Sequence, residues 1–181
     1  MVIMSKMVDK RFKAHKDCYE SRYVRHSDSV YYIVIHNTGN KGDTAEANAK
    51  FFTRKPQRQA GAHYFIDNGK DTKIFKSIDR NRTAWSVGGL FKMGAPYYRK
   101  CTNYNSISIE LCDIVDKPIG KYQKEKLIYL IKQIHKHHKN AKTIIRHFDV
   151  NGKNCPSYYV EHTDKWEKLR KELEKYVKDD K

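Results

Sequence analysis

The chain has 181 residues, 39% hydrophobic and 12% aromatic, which suits one folded domain whose core needs no disulfide support. This composition excludes a disordered chain, and no apolar run is long enough to cross a bilayer. The net charge of +16 favours polyanionic partners such as anionic cell-wall polymers, membrane surfaces or nucleic acid, although the basic residues are spread along the chain rather than gathered in one tract.

Residues 1–28 are polar and read as an irregular N-terminal arm packed on the surface of a main domain over 29–181. Met1-Val2-Ile3-Met4-Ser5-Lys6-Met7 is too short and interrupted for a secretory signal, so synthesis in the cytoplasm is expected. Val30–Ile35 is almost wholly apolar, β-branched or aromatic, the pattern of a central strand buried on both faces, with His36 at its end. Asn37 to Gly42 reads as a loop. Asp43 is placed to cap the next helix, with Glu46 at the reciprocal capping-box position, Ala45, Ala49 and Phe52 on one face, and Lys55-Pro56 as its end. Gly61–Asp67 reads as a strand that turns at Asn68-Gly69 into a second one over Thr72–Ile78.

Residues 79–104, with Trp85, Gly88, Gly89, Gly94 and Pro96, read as a long loop, a common setting for binding surfaces. In Ser106–Cys112 the period of two puts Ile107, Ile109 and Leu111 in the core. Ser106, Ser108, Glu110 and Cys112 face the other way, which suits the floor of a cleft. Tyr122–His138 is an amphipathic helix with Leu127, Ile131, Ile134 and His138 at helical spacing. His135, His137 and His138 fall in its last turns and read as solvated surface rather than as a metal cluster. Thr143–Arg146 is a short strand leading to His147, and Asp164–Lys178 a last helix with Trp166, Leu169, Leu173 and Tyr176 as its stripe. The sum is a single α/β domain with a central mixed β-sheet flanked by helices.

The four cysteines form no CxxC pair, and without a secretion signal a disulfide framework is not expected. Cys112 reads as a buried small hydrophobe. Cys155 is different, because His147 precedes it by one short loop. His36, His147 and Cys155 together make a three-ligand set of the kind that catalytic zinc uses, with the fourth position left for water. The plainer reading is two ordinary histidines and a buried thiol.

Four pieces occur in order: Ile-His-Asn-Thr at 35–38, Ala-His-Tyr-Phe-Ile-Asp at 62–67, Asn-Ser-Ile-Ser-Ile-Glu-Leu-Cys at 105–112, and Arg-His-Phe-Asp-Val with Gly-Lys-Asn-Cys-Pro within 146–156. Together they resemble the type 2 N-acetylmuramoyl-L-alanine amidases, a family of phage and prophage endolysins, bacterial autolysins and the related peptidoglycan recognition proteins. The resemblance implies a peptidoglycan recognition protein-like fold and a zinc hydrolase that cuts the amide between N-acetylmuramic acid and L-alanine. It implies His36, His147 and Cys155 as Zn²⁺ ligands, Glu110 as catalytic base, and Lys153 as the basic residue that assists. Ala62 departs from the tyrosine that some members carry there, and those members often lack the acidic residue, so the base falls to Glu110 alone.

Asn37, Thr38, His63 and Trp85 are candidate substrate contacts. His63 is alternatively a satisfied core histidine, and Trp85 a loop anchor. Asp149 is expected to orient the ligand loop by hydrogen bonding. The expected partner is peptidoglycan, reached from the cytoplasm by a holin-type route or host lysis, with anionic wall polymers held by the basic surface and the chain a monomer. A non-catalytic peptidoglycan-binding module is the alternative. Nucleic acid is not expected, since only charge supports it.

Overall fold

The computed structural model describes residues 7–89 and 94–178. Its strands are β1 (Val8–Asp9), β2 (Tyr19–Glu20), β3 (Tyr32–Asn37), β4 (Tyr64–Ile66), β5 (Ile74–Lys76), β6 (Thr83–Ala84), β7 (Ser106–Leu111) and β8 (Thr143–Arg146). The helices are α1 (Ala45–Phe51), α2 (Lys121–His137), α3 (His147–Asn151), α4 (Ser157–Glu161) and α5 (Thr163–Leu173). Six strands form one sheet in the order β1-β5-β4-β7-β3-β8, and β2 pairs with β6 apart from it. The pairs β4·β7, β7·β3 and β3·β8 are parallel, whereas β4·β5 is antiparallel, so the sheet is mixed as expected.

Alternation along the strands divides the core into two layers. Ile33, Ile35, Tyr64, Ile66, Ile107, Ile109, Leu111 and Ile144 face α2 and α5, packing on Leu127, Ile131, Ile134, Trp166, Leu169 and Leu173. The opposite face carries Phe65, Phe75 and Cys112 under α1, and Val34 and Ile145 under Val87, Cys101 and Val150. Val34 and Ile35 are both fully buried, which is why this run has no polar alternation. Among the described residues no helix is long and apolar enough to cross a membrane.

Three local expectations are corrected. Thr44, not Asp43, caps α1 by accepting from the Ala47 N–H at 3.1 Å. Asp43 instead accepts from the Asp113 backbone at 2.7 Å and from Asn48 Nδ2 at 2.6 Å, tying α1 to the exit of β7. Second, α1 ends at Phe51, well before Pro56. Third, His135 and His138 are buried and only His137 is exposed. The turn Ser27–Ser29 covers the end of α2, and its Ser27 carbonyl lies 2.7 Å from His138 Nδ1.

The N-terminal segment is more ordered than its polarity predicts, its first six residues lying outside the described ones. Val8 and Asp9 extend the sheet beside β5, and Tyr19 and Glu20 pair with β6, a strand within the loop expected over 79–104. Leu90–Met93 of that loop also lie outside the described residues. Cys18 is fully buried, and Gly61 approaches it so closely that a Cβ there would stand 2.5 Å from its carbonyl oxygen. Arg25 is 3% exposed. Its Nη1 donates to the carbonyls of Asn103, Tyr104 and Ser106 at 3.2, 2.7 and 2.8 Å, and its Nη2 donates to the Arg80 carbonyl at 2.9 Å.

Arg25→Ala removes a buried donor from four backbone carbonyls. It is expected to lower unfolding free energy by about 3 kcal/mol, seen as an earlier urea midpoint at unchanged m. A shift worth less than about 1 kcal/mol would show the carbonyls rehydrate without cost.

Candidate functional site

His36 is the fifth residue of β3, on the face opposite α2, and its register partner on β7 is Glu110. Arg146, the last residue of β8, pairs with Ile35, so His147 emerges beside His36. All three strands run parallel and point their carboxyl ends to one place, where open α/β sheets bind ligands. Asp149 holds the start of α3, accepting from the Arg146 backbone at 2.8 Å and from Arg146 Nη2 at 2.7 Å. That is the orienting role expected of it. Gly152, at φ +79°, closes α3 in the left-handed conformation and turns the chain so that Lys153 and Cys155 come back to the strand ends.

The side-chain donors of His36, His147 and Cys155 lie within 4.8 Å of one another, each residue being 2% exposed. The two imidazole centroids are 4.6 Å apart. Among the described residues this is the sole group of three or more such side chains placed to hold a metal ion. Zinc with two nitrogen ligands and one sulfur separates its donors by about 3.3–3.6 Å, so an ion would draw these side chains closer than the 4.8 Å they span here. His36 Nε2 and His147 Nδ1 are buried and have no hydrogen-bond partner. Buried imidazole nitrogens rarely stay unpaired, and a pair of them beside a thiol fits a cation. On its other side His147 Nε2 lies 3.0 Å from Asn151 Nδ2.

Electrostatics match that geometry. Burial, His147 and Lys153 hold the His36 pKa well below its ordinary value. Burial and Lys153 push His147 down to about 4, against a hydrogen bond to the Gly88 backbone. Burial and Glu110 push the Cys155 thiol up to about 12. Burial raises Glu110 to about 7, opposed by Lys153 and helped by Asp43. Its Oε1 is 3.9 Å from His36 Nδ1, and its Oε2 is buried without a partner.

Two clefts open over the cluster. One, of about 900 Å³, runs past His147, Asn151, Gly88, Gly89 and Trp85. The other, of about 460 Å³, runs past His36, Glu110 and Cys155 toward Thr38, Phe51 and Phe65. Lys153 is exposed and lines both. Trp85 lines both, and its backbone anchors the loop to Cys18 and Gly61. Thr38 Oγ1 is buried and unpartnered at the cleft wall.

His63 is not brought to the clefts. It is fully buried, its Nδ1 3.0 Å from Ser108 Oγ and its Nε2 3.2 Å from Arg25 Nη2. His63 and Arg25 therefore cover Ser106 and Ser108, and of the expected polar floor only Glu110 reaches open space. Asn37 lines the second cleft, but its side chain is committed elsewhere: Nδ2 donates to Ser157 Oγ at 3.1 Å, and Oδ1 accepts from the Ser157 N–H at 3.3 Å. Its backbone N–H reaches Cys155 Sγ at 3.4 Å. Asn37 thus fixes the loop that carries the thiol. Asn151 carries no role in the sequence reading, and Asp43 is read there only as a cap although it lines the second cleft. Asn151 had a signal, since it stands four residues after His147 on one helical turn.

An α/β domain with two histidines and a cysteine gathered at the carboxyl ends of parallel strands, under an open cleft, defines a class of fold and site rather than a single protein. The chain belongs to the N-acetylmuramoyl-L-alanine amidase family, whose profile matches residues 26–158. It is 25% identical over 147 residues to N-acetylmuramoyl-L-alanine amidase CwlL of Bacillus licheniformis, covering 78% of this chain and 40% of that one. It is 26% identical over 143 residues to the amidase BlyA of Bacillus subtilis strain 168, covering 74% and 38%. The chain thus spans about two fifths of the length of these relatives. In fold it is similar to a mutant endolysin from Bacillus subtilis, with a TM-score of 0.66 at 22% identity over 94% of this chain and 98% of that one.

Asn37→Ala releases Ser157 and the thiol loop without removing a ligand. It is expected to weaken Zn²⁺ binding about tenfold, measured by competition with a chelating dye, with circular dichroism unchanged. Unaltered affinity would mean that Pro156 and α4 hold Cys155 without it.

Proposed function

We propose that the protein is a zinc-dependent N-acetylmuramoyl-L-alanine amidase that hydrolyses the amide between N-acetylmuramic acid and L-alanine in bacterial peptidoglycan, and acts at the cell wall. The observation that carries this reading is the convergence of His36, His147 and Cys155, with two unpaired imidazole nitrogens, beside the unpaired Glu110 Oε2. Family membership and the named amidase relatives support the choice of reaction.

His36, His147 and Cys155 would hold the ion. Zn²⁺ there supplies two things, a lowered pKa for water, toward about 7, and polarisation of the scissile carbonyl. Glu110 stands across from His36 and takes the proton of the attacking water at a carboxylate oxygen. Burial, which raises its pKa in the metal-free site, keeps the carboxylate basic enough to accept that proton before it passes to the departing amine. Lys153, at the cleft mouth, offsets negative charge as it grows on the carbonyl oxygen. The Gly88 carbonyl and Asn37 hold His147 and Cys155 in place for a reaction that tolerates little misplacement.

Purified peptidoglycan is expected to release new amino-terminal alanine and no new reducing sugar, with activity abolished by a chelator and restored by zinc. Reducing ends would mean a glycosidase, and binding without any new ends would mean a recognition module. Cys155→Ser is expected to lose both zinc and activity. Glu110→Ala should keep zinc and lose turnover by at least about a hundredfold, and near-normal turnover would remove Glu110 from the role of base.

Proton release provides a second check. Near neutral pH both imidazoles are already unprotonated, while the Cys155 thiol, pushed up to about 12, still holds its proton. Zinc takes the thiolate, so each ion bound releases at least about one proton, with a further fraction from water and Glu110, and affinity rises at least about tenfold per pH unit from about pH 7 to 9. Calorimetry in buffers of different ionisation enthalpy counts that proton. A count near zero would mean that Cys155 is not a ligand.

A further inference from the structure

Arg58 lies between α1 and β4 and lines both clefts above the cluster, together with Trp85 and Lys153. It also lines a third cleft that continues past Tyr19 and Pro56. Most arginines of this chain are engaged elsewhere. Arg11, Arg22, Arg146 and Arg170 pair with carboxylates, and Arg25, Arg80 and Arg82 donate to backbone carbonyls. Arg58 is exposed, and among the described residues no carboxylate lies within ion-pairing distance of it. A free guanidinium fork beside an indole, at the meeting point of three clefts, presents a planar carboxylate with two parallel donors.

The amide substrate carries such a group close to the scissile bond. One residue beyond the L-alanine, the peptide stem of peptidoglycan has a D-glutamyl residue joined through its side chain, with an α-carboxyl that is free in some walls and amidated in others. Two residues of extended chain span at most about 7 Å, so this carboxyl falls within the clefts that Arg58 borders when the scissile amide lies over the cluster. We propose that Arg58 reads this α-carboxylate and sets a preference for stems in which it is not amidated. The inference rests on the amidase reading for its substrate, but not for its test.

The test compares two soluble muramyl pentapeptides, identical except for a free or amidated α-carboxyl on the second residue. Zinc-loaded wild type is expected to favour the free acid about tenfold in kcat/KM, as one charge-assisted pair provides. In Arg58→Gln that ratio should fall to about one through KM rather than kcat, and Arg58→Lys should keep part of it. A ratio unchanged by Arg58→Gln, or equal use of both ligands by wild type, overturns the inference.

Calorimetric binding of the same two ligands reads the preference without turnover. If neither ligand is cleaved but the free acid binds more tightly and only while Arg58 is present, the carboxylate site stands and the amidase reading falls. If both are cleaved and Arg58→Gln leaves the binding preference intact, the amidase reading stands and the carboxylate site falls. Absence of binding by either ligand overturns both.

Discussion

Parallel pairing of β3 with β7 on one side and β8 on the other is the constraint on which the site depends. It sets His36 across from Glu110 and brings His147 out one step beyond the Ile35–Arg146 pair. A slip of one residue in either pairing would send Glu110 or His147 into the layer under α2, because strand side chains alternate strictly. The register is protected by what lies there. Ile33, Ile35, Ile107, Ile109 and Ile144 fill the core beneath α2 and α5, so a slip would exchange fully buried isoleucines for serines and charged groups. The apolar layer on one face thereby holds the polar geometry on the other.

That polar face is closed as well as apolar where it must be. Arg25 and His63 cover the serines of β7 and satisfy the loop carbonyls that come together there. Buried charge of this kind is tolerated when every donor is used, and Arg25 donates to four carbonyls. The cover stops at Glu110. Beyond it the unpartnered atoms begin, Glu110 Oε2, His36 Nε2, His147 Nδ1 and Thr38 Oγ1, and they cluster where the clefts open.

Much of this was legible in the residues. The run Val30–Ile35 has no alternation because both its faces are covered, and Ser106–Leu111 alternates because its faces differ. His36, His147 and Cys155 could be picked out as a group, and the structure brings them together. Pairing partners could not be read, because parallel strands meet through contacts distant in sequence. The helices α3 and α4, of five residues each, are too short to show a period. His138 was misplaced on the surface although its spacing from Ile131 and Ile134 put it on the buried stripe. Its cover, Ser27–Ser29, comes from the other end of the chain. Arg25 and Arg58 were hidden for a simpler reason: in a chain with 37 Lys and Arg, one buried or one unengaged guanidinium leaves no mark in the sequence.

The bond between the Asn37 backbone and Cys155 Sγ joins residues 118 positions apart. The first and last members of the trio are thus brought together by pairing of strands far apart in the chain and not by any local segment. An ion bound there recognises the finished topology, and mass action converts its occupancy into folding stability, about 4 kcal/mol when free ion stands at a thousand times the dissociation constant. On the zinc reading, metal supply would govern how long the protein persists as well as how fast it works, and an environment stripped of zinc would cost it chemistry and resistance to unfolding together.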